Sequence, residues 1–148
     1  MLLRRLRPLL AALLLLLPPA GLALAGEAEV RAFARQLRLR DVDGFAEAVA
    51  SLRASGRLPE RYVTKDEAED LGWRPGSDLC DSAPGRTIGG DRFGNRERRL
   101  PDRRGRRWFE ADLDFACGRR GAKRLVWSSD GLIYATTDHY ETFREVPE

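Results

Sequence analysis

Apolar positions along this chain change their period once. Phe45, Ala48, Val49 and Leu52 recur at helical spacing, which predicts a helix from Asp43, as its cap, to about Ala54, closed by Ser55-Gly56. Leu58-Pro59 follows as an extended link. Thr64 with Glu67 three residues later forms a capping box, predicting a second helix that ends near Leu71-Gly72. Pro75-Gly76 turns the chain, and Asp78 caps a short third helix reaching about Ser82. From Pro84 the period becomes two. Arg86 to Phe93 reads as a strand with glycines at a bend. In Trp108 to Asp114, Phe109, Ala111 and Leu113 face one way while Trp108, Glu110 and Asp112 face the other. Lys123 to Ser128 predicts a third strand, Ser129-Asp130-Gly131 a turn, Leu132 to Thr136 a fourth strand and Thr142 to Val146 a short fifth. Helices followed by antiparallel strands predict an α+β domain, with N-terminal helices packed on one face of a C-terminal sheet.

The N-terminal 25 residues read differently. Arg4, Arg5 and Arg7 precede the apolar run Leu9 to Leu17, Pro18-Pro19 ends it, and Ala23-Leu24-Ala25 offers a small-x-small scission pattern before Gly26. This is the pattern of a secretory signal peptide, and the run falls well short of the ~20 residues that a spanning helix needs. Residues 26–42 are compatible with either a pro-segment or an N-terminal extension, and residues 43–148 form the expected domain.

Removing the leader revises the charge picture. The full chain of 148 residues holds 26 basic and 23 acidic residues, a net charge of +3. Three arginines and no acid leave with residues 1–25, so the remainder is neutral overall. Its charge is unevenly spread: residues 86–124 hold 13 basic and 6 acidic residues, between two acidic flanks. An anionic ligand for that segment is one reading, and a solvated arginine-rich loop such as Arg103 to Arg107 is the plainer one. A single histidine, His139, excludes a His-rich metal site, and two cysteines exclude a Cys₄ zinc site.

Four dispersed blocks carry a family resemblance: LPERYVTKDEA (58–68), APGRTIGGDRFGNRE (83–97), WFEAD (108–112) and TTDHYETF (136–143). In this order, over roughly residues 43–146, the chain resembles the secreted, guanyl-specific, barnase-like bacterial ribonucleases. The resemblance implies the microbial ribonuclease fold. It also implies cleavage of single-stranded RNA 3′ to guanosine, through a 2′,3′-cyclic phosphate and then hydrolysis to a 3′-phosphate, with no metal and no cofactor. Such chemistry needs a base for the ribose 2′-hydroxyl proton and an acid for the departing 5′-oxygen, roughly in line across the phosphorus. By resemblance Glu110 is the base and His139 the acid; an imidazole titrates near neutrality, which suits proton donation there. Taken singly, a strand glutamate or a loop histidine is more often just a solvated side chain. Arg120, Arg124 and Lys65 match the family's phosphate-binding cations, Lys65 beside a helix N-terminus that itself favours anions, and Tyr140 matches a phosphate-contacting tyrosine.

Base choice falls, by the same resemblance, to the loop Gly94-Asn95-Arg96-Glu97. Guanine presents two adjacent donors, N1–H and the 2-amino group, which one carboxylate such as that of Glu97 accepts together, while Asn95 and Arg96 backbone N–H groups would donate to O6. Gly94 eases the close backbone approach.

The chain departs from the family pattern at four positions. Arg119 and Gly131 stand where that pattern has aromatics, and Cys80 and Cys117 have no counterpart. Mapped on the family fold the two cysteines become neighbours, and in an exported protein they are expected to pair. The implied setting is extracellular, as a monomer without stable membrane association, with a barstar-like cytosolic inhibitor as protein partner. The competing class is a non-catalytic secreted RNA-binding or interaction module on the same fold.

Overall fold

The computed structural model describes residues 20–148; residues 1–19 of the expected signal peptide lie outside the described residues. The first element is a helix, α1 (Ala20–Gln36), which runs unbroken past the Ala25–Gly26 junction. Val30, Phe33, Ala34 and Leu37 follow i, i+3, i+4, i+7 and are all buried. They enter one core with Phe45, Ala48, Val49 and Leu52 of α2 (Val42–Ser55) and with strand residues Ala111, Leu125, Trp127, Ile133 and Ala135. Residues 30–39 are thus integral to the main core.

The cap of α2 differs from the expected one. Asp41, not Asp43, accepts from the Gly44 backbone N–H at 2.8 Å, while Asp43 sits in the first turn and pairs with Arg31. Both aspartates are acceptable caps; the choice is made by α1, whose arginine takes the second one. The capping box of α3 (Lys65–Asp70) forms as expected, with Thr64 and Glu67 each holding the other's backbone N–H. Asp78 caps α4 (Leu79–Ser82).

Six strands form one sheet in sequence order: β1 (Tyr62–Val63), β2 (Thr87–Phe93), β3 (Trp108–Asp112), β4 (Arg124–Ser128), β5 (Ile133–Thr136) and β6 (Arg144–Glu145). β1 is an addition to the expected set, too short to carry a period. It pairs parallel to β2, and every other pair is antiparallel. A bulge at Gly90, which has φ +102, interrupts the β2–β3 register as the glycines suggest.

Register assigns the two faces. Facing residues in an antiparallel pair share a side of the sheet. Arg92, Phe109 and Trp127 align across β2–β4, as do Ala111, Leu125 and Ala135 across β3–β5, on the face toward α1 and α2. On the opposite face Asp91, Glu110 and Val126 align, as do Asp112, Arg124 and Thr136. That face has its own small apolar cluster of Leu100, Trp108 and Val126, flanked by Phe93, Leu132, Tyr134 and Phe143. The chemistry-bearing side chains therefore stand on a platform whose reverse side is the main core.

Because Phe33 fills that core and stacks on Phe45 with ring centroids 6.1 Å apart, Phe33→Ala is expected to destabilise the fold by about 3–5 kcal/mol. Equilibrium urea unfolding measures this; a loss under about 1 kcal/mol would mean that α1 is not held in the core.

Candidate active site

The middle of β3 puts Glu110 on the open face, yet the residue is only 7% exposed. Its two carboxylate oxygens have different partners. The Lys65 ammonium lies 3.4 Å from Oε1, and the Tyr140 hydroxyl donates to Oε2 at 2.5 Å. Burial, and then this bond to Glu110, push the Tyr140 phenol up to about 12, so it remains a donor at neutral pH. Lys65 opens α3, but its backbone N–H already donates to the Asp91 carboxylate, at 3.1 Å to Oδ2. The anion at this helix start is thus a side chain of the neighbouring strand. Burial raises the Asp91 carboxyl above its ordinary value, and Lys65 opposes that rise.

Asp112, two residues after Glu110 on the same face, organises the arginines. Arg120 donates to it with both Nε and Nη2, each at 2.7 Å, and Arg124 Nε lies 3.1 Å from its Oδ1. The side chain of Asp112 is 2% exposed. Arg124 also donates from Nη1 to the carbonyls of Gly121 and Lys123 and from Nε to the Tyr140 hydroxyl. The Asp112 carboxylate raises Arg120 further above its ordinary value. These contacts leave both guanidiniums fixed and charged, which suits an anionic ligand in a site that need not reorganise.

His139 and Tyr140 both take positive φ, 55° and 72°. Two adjacent left-handed non-glycine residues persist only where surroundings over-determine them. Here the His139 N–H donates to the Ala122 carbonyl and the Tyr140 N–H to Thr136 Oγ1. Asp138 accepts from the Thr136 hydroxyl and from both the N–H and the hydroxyl of Thr142. These bonds, those from Thr142 foremost, pull the Asp138 carboxyl down to about 2.

The loop after β2 supplies the other wall. Asn95, at φ 42°, locks it by donating from Nδ2 to the Leu100 carbonyl and accepting the Leu100 N–H. Its side chain thereby fixes the loop, whose backbone N–H groups border the cleft. Glu97 is paired with Arg99 at 2.8 Å. A cleft of about 540 Å³ brings together Gly94, Asn95, Arg96, Glu97, Glu110, His139 and Tyr140, with Phe93, Arg99, Glu141 and Phe143. Lys65, Arg120 and Arg124 do not line that cleft but reach it through Glu110, Asp112 and Tyr140. Arg120 instead lines an adjoining depression with Trp73, Gly76, Ser77 and Arg119.

Cys80 and Cys117 form a disulfide that joins α4 to the loop carrying Arg120. Of the residues that matter here, the sequence reading did not single out Asp91, Asp112, Asp138 or Arg99. Asp112 carried a usable signal, an alternation with Glu110 on one strand. Arg99 lay inside a charge run and had none.

Residues 46–147 match the family model described as ribonuclease. A ribonuclease of Heyndrickxia coagulans is 55% identical over 91 residues, 61% of this chain and 84% of that protein. Ribonucleases of Bacillus intermedius and Bacillus pumilus are 55% identical over 91 residues, covering 56% of each of those proteins.

A depressed Asp138 carboxyl stabilises the fold above its unfolded pKa, and that contribution is lost as pH falls toward about 2. Urea unfolding of wild type and Asp138→Asn should therefore differ by a constant amount above about pH 5 and converge near pH 2; a difference that grows on acidification would refute the assignment. Reduction or Cys80→Ala/Cys117→Ala should cost about 2–4 kcal/mol, and thiol labelling of the native protein should find neither cysteine free.

Proposed function

The chain belongs to the ribonuclease family, whose members cleave RNA, and we propose that it is an extracellular endoribonuclease that cuts single-stranded RNA 3′ to guanosine without a metal ion. One observation carries this reading: a buried glutamate, with each oxygen held by a different donor, opens on the same cleft as the only histidine and the Gly94–Glu97 loop.

Glu110 takes the proton of the ribose 2′-hydroxyl, which attacks the phosphorus. His139 protonates the 5′-oxygen that leaves, and a 2′,3′-cyclic phosphate forms. Water then opens the ring with the two roles exchanged, giving a 3′-phosphate. Lys65 and the Tyr140 hydroxyl orient the Glu110 carboxylate. Lys65, Arg120 and Arg124 offset the charge that accumulates on the phosphoryl oxygens, and Asp112 keeps both guanidiniums aimed. Glu97 accepts the two guanine donors, and Asn95 and Arg96 N–H groups meet O6. Adenine offers an unprotonated N1 to the same carboxylate and is rejected. DNA lacks the 2′-hydroxyl and is not cut.

The Cys80–Cys117 disulfide supports an oxidising, extracellular setting. The signal-like leader supports export, and among the described residues no helix is long and apolar enough to cross a membrane. The protein works as a monomer. In the cytosol that makes it, a barstar-like acidic inhibitor would find complementary charge in Lys65, Arg96 and Arg99.

The test is an assay on GpN and ApN dinucleotides with excess EDTA. Wild type should cleave GpN preferentially and resist the chelator. Glu110→Ala should lower kcat/KM by at least about 100-fold and His139→Ala by about 10,000-fold. Cleavage lost to EDTA, equal rates on ApN, or full activity in either variant would overturn the reading. A protein that binds RNA without turnover would instead be a non-catalytic module.

A further inference from the structure

Arg99 joins the two walls of the cleft. Its Nη2 lies 2.8 Å from Glu97 Oε2 on the loop after β2. Its Nη1 donates to Glu141 Oε2 at 2.8 Å, to the Glu141 carbonyl at 2.8 Å and to the Tyr140 carbonyl at 2.9 Å, all on the loop that carries His139. One guanidinium thus spans two carboxylates and two carbonyls on segments 42 residues apart in sequence. The Glu141 bond comes first among the influences that hold Arg99 above its ordinary pKa.

We propose that Arg99 is a specificity-determining positioning residue, which holds the Glu97 carboxylate in its base-reading orientation and ties it to the histidine loop through Glu141. This rests on the reading of Glu97 as the guanine acceptor. The Glu97 side chain is 70% exposed. Left free, it would sample several rotamers and lose that freedom on binding. Arg99 removes this freedom before the base arrives. It does not thereby block the site, because each carboxylate oxygen has two lone pairs and Oε2 retains one for a base donor. Glu141 gives the guanidinium a second anion, so Arg99 is anchored from the opposite wall rather than by Glu97 alone. Arginine suits this task where lysine does not, since its planar fork addresses two acceptors in fixed directions.

Two consequences separate this from a loop clamp. An orienting role acts on guanine substrates through KM and leaves adenine substrates unaffected. A clamp that merely shapes the histidine loop lowers kcat on both. Steady-state kinetics on GpN and ApN should therefore show that Arg99→Met raises KM for GpN about five- to tenfold, with kcat within about twofold and ApN constants unchanged. Glu141→Gln should give a smaller shift of the same kind. Arg99→Lys should recover only part of the loss. The double variant Arg99→Met/Glu97→Gln should be no worse than Glu97→Gln alone, because Arg99 acts through that carboxylate. Equal losses on GpN and ApN, or full additivity with Glu97→Gln, would overturn the proposal. Glu97→Gln alone distinguishes the two readings: if it leaves GpN cleavage intact, guanine reading by Glu97 fails; if it impairs GpN while Arg99→Met does not, only the role of Arg99 fails.

Discussion

A single buried carboxylate, Asp112, sets the geometry of the two arginines that stand beside the cleft. It receives two bonds from Arg120 and lies within an ion-pair distance of Arg124. The two guanidiniums could not otherwise be kept close: they repel, and each carries long-chain entropy that must be lost. The carboxylate offsets both costs. Its own burial is tolerable only because its oxygens are bonded to cations. Position on β3 ties this arrangement to Glu110, since the pleat that puts one residue on the open face puts the other there as well. The spacing between Glu110 and the two arginines is thus tied to one strand.

That strand is held rigid from behind. Phe109 and Ala111 alternate with Glu110 and point into the main core or against it, where α1 and α2 pack. The precision of the site therefore depends on burial on the other side of the sheet. The loop that carries His139 has a different support. It carries two residues in a left-handed conformation, fixed by Thr136, Asp138 and Thr142. The strand is rigid through packing and the His139 loop through polar bonds. Acid that leaves the core untouched would loosen only the latter.

Much of this was legible in the sequence. The alternation at Trp108–Asp114 gave both faces of β3, the Thr64/Glu67 box gave the start of α3, and the four family blocks pointed to the residues now gathered around the cleft. The remainder depended on contacts distant along the chain. Asp41 and Asp43 are equivalent caps until Arg31 takes one. Strand β1 has two residues, too few to show a period. The stripe of α1 was present at Val30, Phe33, Ala34 and Leu37, but charged neighbours and proximity to the leader hid its partner. Arg99 was one of several arginines in a run, and nothing local says which of them bridges two loops 42 residues apart.

The continuity of α1 bears on the order of events in the life of the chain. A peptidase needs its target bond extended, whereas residues 25 and 26 sit inside a helix, with Gly26 packed near the carbonyl of the terminal Glu148. Scission at that junction, where it occurs, therefore belongs to the chain before it folds. Folding then closes the opportunity, because winding the segment into a helix and burying Phe33 withdraw the bond from an extended conformation. Scission and folding would compete for the same segment, and the faster of the two would decide which N-terminus the protein keeps.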